Sequence, residues 1–324
     1  MGFKGPVMSK IRVGVVGVGH LGYHHARNYA ALEGVVLAGV VDSDEGRRAK
    51  AARDFSAPGF ASVAELLAAG VEAASVAVPT TAHAEVAMAL LNAGVDVLVE
   101  KPMAATCEEA VRMKAAAAAN GRILQVGHIE RFNGAVMALM QAVSDPKFIE
   151  CHRLSPYPNR GHDVSVVLDL MIHDLDIVLA LVRSPVASID AVGVDVFSPS
   201  EDIANVRIRF ASGCVANLTC SRVAAERMRK IRVFSGDAYF STDYSEQEVL
   251  SYRKKPGPVP EGVSPMLHID VQPLPVVRDE PLKLELASFI DCVRTRARPV
   301  VSGEDGLAAM RLAQDIVDFI REHP

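Results

Sequence analysis

An acidic residue and a histidine lie four positions apart in the apolar segment VVLDLMIHDLDIVLALV. If this segment is helical, Asp169 and His173 project from one face, and Asp176 follows about one turn later. A carboxylate that orients an imidazole gives a pair suited to general acid–base chemistry. The alternative is that these polar groups are hydrogen-bonded within a core, as buried polar groups usually are. Asp169 and His173 are therefore candidate catalytic residues.

A lysine directly after an apolar run is the second catalytic candidate. Lys101 lies in VEKPMA, between Glu100 and Pro102, at the carboxyl end of a predicted strand. Ligands bind at this edge of a doubly wound sheet, so Glu100 and Lys101 are predicted to contact a cofactor there. A lysine ammonium at this edge suits a proton donor or relay. An ordinary solvated lysine is the alternative.

A glycine-rich turn predicts a dinucleotide site. The segment GVGHLG follows a valine-rich run and opens a predicted helix, Leu21–Ala31, whose first backbone N–H groups would face a pyrophosphate. Asp42 follows about twenty residues later, where an acidic side chain accepts hydrogen bonds from the adenine ribose and repels a 2′-phosphate. NAD is therefore favoured over NADP, although Arg47 and Arg48 leave room for NADP. The predicted turn residues are Gly17, Val18, Gly19, His20, Leu21 and Gly22.

A further turn at the same edge of the sheet follows the run ending at Val78, in VPTTAHAE. Pro79 and Thr80 are predicted to form the turn, and His83 to begin the next helix close to the cofactor. A capping or packing histidine is the alternative for His83.

Short apolar runs alternate with helical stretches in the first part of the chain, which is the pattern of βαβ units and a parallel sheet. We expect residues 1–126 to form an NAD-binding Rossmann domain of the doubly wound α/β class. Its predicted strands are Ile11–Val16, Val35–Val41, Ala74–Val78, Asp96–Val99 and Ile123–Val126.

Residues 127–324 show stronger polar/apolar alternation, which indicates a mostly antiparallel sheet in an α+β domain. One helix is predicted at about Val164–Leu181, and the proline-rich stretch Ser251–Pro281 is expected to be a long loop or extended arm. Two amphipathic helices, Leu282–Thr295 and Gly303–Ile320, are assigned to this second domain. The predicted strands are Phe148–Leu154, Ser188–Phe197, Asn205–Phe210, Cys214–Ser221 and Lys230–Phe234.

The charge and cysteine content of the chain indicate which classes of binding partner and which cellular setting fit it. The net charge of −5 comes without a basic block, which argues against nucleic acid or an anionic membrane as partner and favours a small molecule. Five cysteines without a CxxC pair indicate neither a disulfide framework nor a zinc site, and predict a reducing, cytoplasmic setting. His24, His25, Asp169, His173 and Asp174 have no recognised metal-ligand spacing, so no metal is predicted.

Taken together, these motifs resemble the glucose-fructose oxidoreductase/inositol dehydrogenase (Gfo/Idh/MocA) family. The resemblance rests on segments that occur in family order: GVGHLG, VDSD, VPTTAHAE, VEKP, GHIERFN, LDLMIHDLD and the tail from EPLKLELASF to GEDGLAAM. It implies a Rossmann domain followed by a domain whose open-faced sheet builds dimers or tetramers. It also implies that Lys101, Asp169 and His173 are the catalytic set of an NAD-dependent sugar dehydrogenase.

Two departures from the family pattern concern the substrate pocket. Many members carry a glycine-rich stretch where this chain has DVSVVLDLM, and relatives often have proline at the position of Gly134. The substrate pocket is therefore expected to differ from that of the inositol and glucose enzymes.

GHIERFN together with CHRLSPYPNRGHDVSVVLDLMIHDLDI most resembles the subgroup of UDP-N-acetylglucosamine 3-dehydrogenases. That resemblance implies oxidation at C3, followed by transamination in a partner aminotransferase towards the diamino sugars of lipid A. The substrate-binding candidates are Arg131, Asn133, Arg153, Tyr157 and Arg160, with the arginines matched to a diphosphate. Ordinary surface ion pairs are the alternative for the arginines. A free polyol or monosaccharide, a UDP-uronic acid, a non-catalytic NAD-binding regulator and a structural subunit remain the competing interpretations.

Overall fold

The computed structural model describes residues 9–157 and 164–323. The amino-terminal part contains a six-stranded parallel sheet in the order β3-β2-β1-β4-β5-β6. Its strands are β1 (Ile11–Val16), β2 (Val35–Val41), β3 (Gly59–Phe60), β4 (Ala73–Val76), β5 (Asp96–Glu100) and β6 (Leu124–Gly127). The connecting helices are α1 (His20–Ala31), α2 (Glu45–Asp54), α3 (Val63–Ala68), α4 (Thr80–Asn92) and α5 (Cys107–Ala119). The doubly wound fold predicted from the sequence is confirmed.

The side chains of these strands and helices explain why each element forms where it does. The central strands are almost wholly buried and mostly apolar, with Arg12 and Ser75 as polar exceptions, as expected for parallel strands covered on both faces. Helices α2, α3 and α5 start at Asp44, Ser62 and Thr106, whose side chains accept hydrogen bonds from first-turn amides. Because these strands are parallel, each β-to-α connection begins at the same carboxyl edge of the sheet.

The later part of the chain forms an eight-stranded sheet in the order β14-β13-β12-β11-β7-β10-β9-β8. Only the β7–β10 pair is parallel, so the predicted mostly antiparallel sheet is confirmed. Its elements are α6 (Gly134–Ala142), β7 (Phe148–Leu154), α7 (Ile172–Val182), β8 (Val186–Val194), β9 (Ile203–Phe210), β10 (Val215–Ser221), β11 (Met228–Phe234), β12 (Ala238–Asp243), β13 (Glu248–Lys254) and β14 (Ile269–Pro273).

Two predictions for this sheet and its helix need correction. The expected loop from Ser251 onwards contains the end of β13, a 3-10 helix and β14, which pairs with β13 at the sheet edge. Pro273 is compatible with a strand because an edge strand tolerates a missing N–H donor. The helix predicted from Val164 begins with a π-helical turn, Val167–Met171, which leads into α7.

Helices α8 (Pro281–Thr295) and α9 (Gly303–Glu322) end the chain. Contacts within the molecule define two compact units. The first consists of the described residues up to Ile129 together with Leu282–Leu307. The second consists of Glu130–Pro281 together with the described residues from Ala308. Leu286 and Phe289 of α8 are buried in the same hydrophobic cluster as Val13 of β1. The structure therefore places α8 in the first unit, whereas sequence analysis assigned all of 127–324 to the second domain.

A short antiparallel connection extends the first sheet next to α8. The N–H of Val126 donates to the carbonyl of Val301, and Gln125 pairs with Ser302 in an isolated bridge. The chain after α8 therefore covers the otherwise open edge of β6. In the two described ranges, no helix combines the length and apolarity needed to cross a membrane.

Phe289→Ala should destabilise the first unit by about 3–5 kcal/mol, since a fully buried aromatic ring is replaced by a cavity. The measurement is urea unfolding followed by circular dichroism, because the chain contains no tryptophan. Val111→Ala, on an exposed face of α5, is the matched control and should cost less than about 0.5 kcal/mol. Equal losses in the two variants would contradict the placement of α8 in this core.

Candidate active site

The turn after β1 excludes side chains at two of its glycines. Gly17 has φ +85°, and a Cβ there would lie 2.7 Å from the carbonyl oxygen of Ala77. A Cβ at Gly22 would lie 1.8 Å from the carbonyl oxygen of Gly17. Only glycine permits this tight passage from β1 into α1, so these two positions are fixed by sterics.

Gly19 directly precedes α1, and no described side chain caps the amides of the first helical turn. A Cβ at Gly19 would meet nothing nearer than the Arg47 guanidinium at 4.0 Å. The N-terminus of α1, with His20 and Leu21 in its first turn, therefore faces open space. This arrangement fits a pyrophosphate, which accepts hydrogen bonds from backbone amides at a helix N-terminus.

Asp42 stands at the end of β2 and holds the glycine turn. One carboxylate oxygen accepts from the N–H of Val18 at 2.9 Å and the other from the N–H of Asp44 at 2.9 Å. Each oxygen keeps further acceptor capacity, so the carboxylate can receive ribose hydroxyls without releasing the turn. Asp42 thus has the fixed position that recognition of a ribose requires.

A cavity of about 520 Å³ connects these groups. Gly17, Gly19, Asp42 and Pro79 line it, which brings three of the predicted cofactor motifs to one place within the first unit. Arg47 also lines the cavity, while Arg48 donates to the carbonyl oxygen of Asp42. Arg47 is therefore the basic residue placed to meet a 2′-phosphate, and Arg48 is not.

His83 has a structural role in the turn after β4. Its ring is 1 % exposed, with Nδ1 2.9 Å from the carbonyl oxygen of Pro102 and Nε2 2.9 Å from that of Val78. Burial lowers the pKa of His83, which keeps the ring neutral. The packing alternative fits this burial better than the predicted direct contact with a cofactor. Helix α4 begins at Thr80, whereas the sequence predicted Thr80 in the turn and His83 at the start of the helix.

Glu100 points into a buried polar cluster rather than along the cavity. Its carboxylate lies 2.9 Å from Nε2 of His25, and a Cβ at Gly127 would lie 2.9 Å from it. Lys101, the next residue, is half-buried and joined to Pro102 by a cis peptide bond. Glu100 therefore anchors the end of β5, from which Lys101 emerges.

The same cluster contains Glu285 of α8, which sequence analysis missed. Glu285 is fully buried, and neither of its carboxyl oxygens has a hydrogen-bond partner among the described residues. Burial, and then the nearby Glu100, raise the pKa of Glu285 well above its usual range. A glutamate on the apolar face of ELASF was the available signal, because charged groups seldom occupy a buried helix face.

The second unit contains the predicted acid–base pair. Asp169 lies on the π-helical turn and His173 in the first turn of α7, and both are half-buried. A π-helical turn inside a helix often marks a functional site. The structure thus keeps Asp169 and His173 on consecutive turns, while Lys101 belongs to the first unit.

Two of the predicted substrate arginines are engaged in buried ion pairs. Arg153 binds Asp174 through two hydrogen bonds of 2.8 and 2.9 Å and binds Glu130 at 3.0 Å. Arg131 binds Asp176 at 3.3 Å. Their charges are therefore balanced within the protein, which gives these arginines a structural role.

The other substrate candidates also have internal partners or fall outside the described ranges. Asn133 caps α6 by accepting from the N–H of Ala135 and donates to the carbonyl oxygen of Tyr244. The Tyr157 hydroxyl lies 2.8 Å from that of Ser198. Arg160 lies outside the described residues.

Comparison with known proteins identifies two family domains. The GFO/IDH/MocA oxidoreductase family profile, with an NAD-binding Rossmann fold, matches residues 11–128. The GFO/IDH/MocA C-terminal domain profile matches residues 135–240. Both matches follow the order seen in the structure.

Three relatives place the chain more finely. A UDP-N-acetylglucosamine 3-dehydrogenase from Acidithiobacillus ferrooxidans is 37% identical over 94% of this chain and 95% of its own. A solved structure of that Acidithiobacillus enzyme has a TM-score of 0.90 and 34% identity, covering 97% of this chain and 99% of its own. The scyllo-inositol 2-dehydrogenase (NAD(+)) of Bacillus subtilis is 26% identical over 91% of this chain and 90% of its own. A protein of gentamicin A biosynthesis in complex with NAD shares the fold, with a TM-score of 0.80 and 22% identity.

Asp42→Ala should weaken NAD binding about tenfold or more, because charge-assisted hydrogen bonds are lost, and should reduce discrimination against NADP. Calorimetric titration with each cofactor measures both effects. Asp42→Asn is the control, since its amide oxygen can still accept from the Val18 N–H while the repulsive charge is gone. We expect Asp42→Asn to recover part of the NAD affinity and to bind NADP better than the wild type. Unchanged titrations in both variants would refute the assignment.

Glu285→Gln should stabilise the protein at pH 8 and have little effect near pH 4.5. The folded-state pKa of Glu285 is raised, so its unfavourable contribution is absent below the unfolded pKa and grows as pH rises towards the folded pKa. We expect Glu285→Gln to raise the free energy of unfolding at pH 8 and to leave it nearly unchanged near pH 4.5, as measured by urea unfolding at both pH values. Glu33→Gln, at an exposed site, should show no such trend. A pH-independent difference between wild type and Glu285→Gln would contradict a buried, protonated carboxyl.

Proposed function

This chain belongs to the GFO/IDH/MocA oxidoreductase family, and from that premise we propose that it oxidises the C3 hydroxyl of UDP-N-acetylglucosamine with NAD. The observation that carries the proposal is the whole-length similarity to a UDP-N-acetylglucosamine 3-dehydrogenase, in sequence and in fold. The family and its dehydrogenase relatives together support the coarser activity, that of an NAD-dependent dehydrogenase acting on sugar hydroxyls.

The first unit is suited to hold NAD. Glycine at 17, 19 and 22 leaves the amides of α1 accessible, and Asp42 is fixed beside them. When bound, NAD supplies the acceptor for the hydride that leaves the sugar carbon. The chain's own task is to bind this cofactor, to orient the sugar and to move a proton.

We assign the proton chemistry to the three residues that match the family's catalytic set. His173 takes the proton of the C3 hydroxyl as general base, and Asp169 orients the imidazole and stabilises its protonated form. Lys101 donates a hydrogen bond to the same oxygen as negative charge develops on it. The product is a 3-keto nucleotide sugar, which a partner aminotransferase would consume on the way to a diamino sugar.

A free polyol is the second candidate substrate, because the Bacillus scyllo-inositol 2-dehydrogenase is similar over nine-tenths of this chain. A panel of inositols, monosaccharides and UDP-uronic acids separates these cases from UDP-N-acetylglucosamine. Turnover of any of them also excludes a purely regulatory role.

Lys101→Ala and His173→Ala should each lower kcat by about 100-fold or more, since each removes a proton-transfer or charge-stabilising group. The affinity for NAD should change by less than about threefold, corresponding to less than 1 kcal/mol. Mass spectrometry of UDP-N-acetylglucosamine incubated with NAD, glutamate and an aminotransferase measures the product. Lys114→Ala, which removes a surface pair with Glu304, is the matched control and should keep full activity. Near-normal rates in both catalytic-site variants would refute the assignment.

A further inference from the structure

A second cavity, of about 400 Å³, lies within the second unit beside the π-helical turn. Leu170, which follows Asp169 directly, forms part of its wall, and Tyr157 another part. Arg153, Arg227 and Arg229 also line it, and none of the described residues in the lining is acidic. The cavity therefore adjoins the turn that carries Asp169 and is bordered by three arginines.

The charges of these three arginines are not equally balanced. Arg153 is compensated twice, by Asp174 and by Glu130. Among the described residues, Arg229 forms an ion pair only with the same Glu130, at 3.6 Å. Arg227 is exposed and forms no ion pair with a described residue. Two carboxylates thus face three guanidinium groups, which leaves the cavity with surplus positive charge.

Strand geometry shows that Arg229 belongs to the cavity side of the sheet. Arg229 is directly opposite Arg153 in the β7–β11 register. Like charges at opposite positions of neighbouring strands are unfavourable, and Glu130 offsets this by contacting both. Arg229 shares its face with the buried Ile231, whereas Arg232 lies on the other face and pairs with Glu150.

We propose that Arg227 and Arg229 bind the diphosphate of the nucleotide-sugar substrate in this cavity. The proposal rests on the proposed function and adds the residues that would select a nucleotide sugar over a free sugar. A guanidinium group donates two parallel hydrogen bonds to a phosphate, and the surplus charge matches an anion. With the diphosphate held here, the sugar end of the substrate is directed towards the turn that carries Asp169.

Arg227 and Arg229 lie in SRVAAERMRK, outside every motif, so the motifs do not point to them. Arg131 and Arg153, two of the candidates near the motifs, are already paired with Asp176 and Asp174. The assignment of the diphosphate contact therefore moves from the buried pair of arginines to the exposed pair.

The test is calorimetric titration with UDP, a probe that contains the diphosphate but no oxidisable acetamido sugar. Arg227→Gln and Arg229→Gln should each raise the Kd for UDP about tenfold, as expected for loss of one charge-assisted contact. Arg232→Gln, on the same strand but the opposite face, is the matched control and should stay within about twofold. In turnover assays the same two variants should raise the KM for UDP-N-acetylglucosamine and leave kcat nearly unchanged, because neither residue touches the reacting carbon.

Two outcomes would overturn the proposed diphosphate site, and they have different consequences for the proposed function. If the wild type oxidises UDP-N-acetylglucosamine and both variants retain its KM and Kd, the diphosphate subsite is wrong and the proposed function stands. If the wild type neither binds UDP nor oxidises UDP-N-acetylglucosamine but oxidises a free polyol, the proposed function and the subsite both fail. A salt titration adds a check, since wild-type UDP binding should weaken with ionic strength more than binding to Arg227→Gln.

Discussion

Burial of the Arg153 guanidinium is the constraint on which the second unit depends. Removing an ion from water costs several kcal/mol, so the side chain requires opposite charges in good geometry. Asp174 of α7 and Glu130 of the 3-10 helix Ile129–Phe132 supply them, while Arg153 itself comes from β7. Although burial alone would lower the pKa of Arg153, Asp174 and Glu130 raise it. The ion cluster fixes the rotation of α7 about its axis, and with it the direction in which His173 projects.

The sequence predicted the first sheet well because its strands carry their own signal. A parallel strand covered on both faces is apolar at nearly every position, and β1 and β2 have the predicted bounds. The glycine turn was also visible, since sterics restrict Gly17 and Gly22 to one residue type. By contrast, β12–β14 are short, polar or proline-containing, and the location of α8 depends on which core receives Phe289. The core into which a helix packs is decided by contacts between residues distant in sequence, and such contacts leave no pattern in the local sequence.

The individual contacts of the candidate site could not be predicted from the sequence for the same reason. Residue type reveals what a side chain can do, but its partners decide whether that capacity is already used. His83 and Asn133 are fully engaged with backbone groups, and Arg131 and Arg153 with carboxylates. Apart from the Asn133 cap and Val78, which lies five residues before His83, these partners are distant in sequence from the residues that they engage. A motif search therefore identifies the region of a binding site more securely than its individual contacts.

Leu282–Leu307 belong to the first unit although they follow most of the second unit in sequence, and this limits how related proteins can exchange domains. A fragment that ended at Ile129 would lack the side chains of α8 that complete the hydrophobic cluster around Val13 and would expose the edge of β6. The dinucleotide-binding half is thus not a separable module with a single boundary. A chimera that combines it with another substrate-binding half needs two crossover points, and the second falls inside α9, where Leu307 and Ala308 belong to different units. Recombination between such genes is consequently constrained at both ends of the substrate-binding segment.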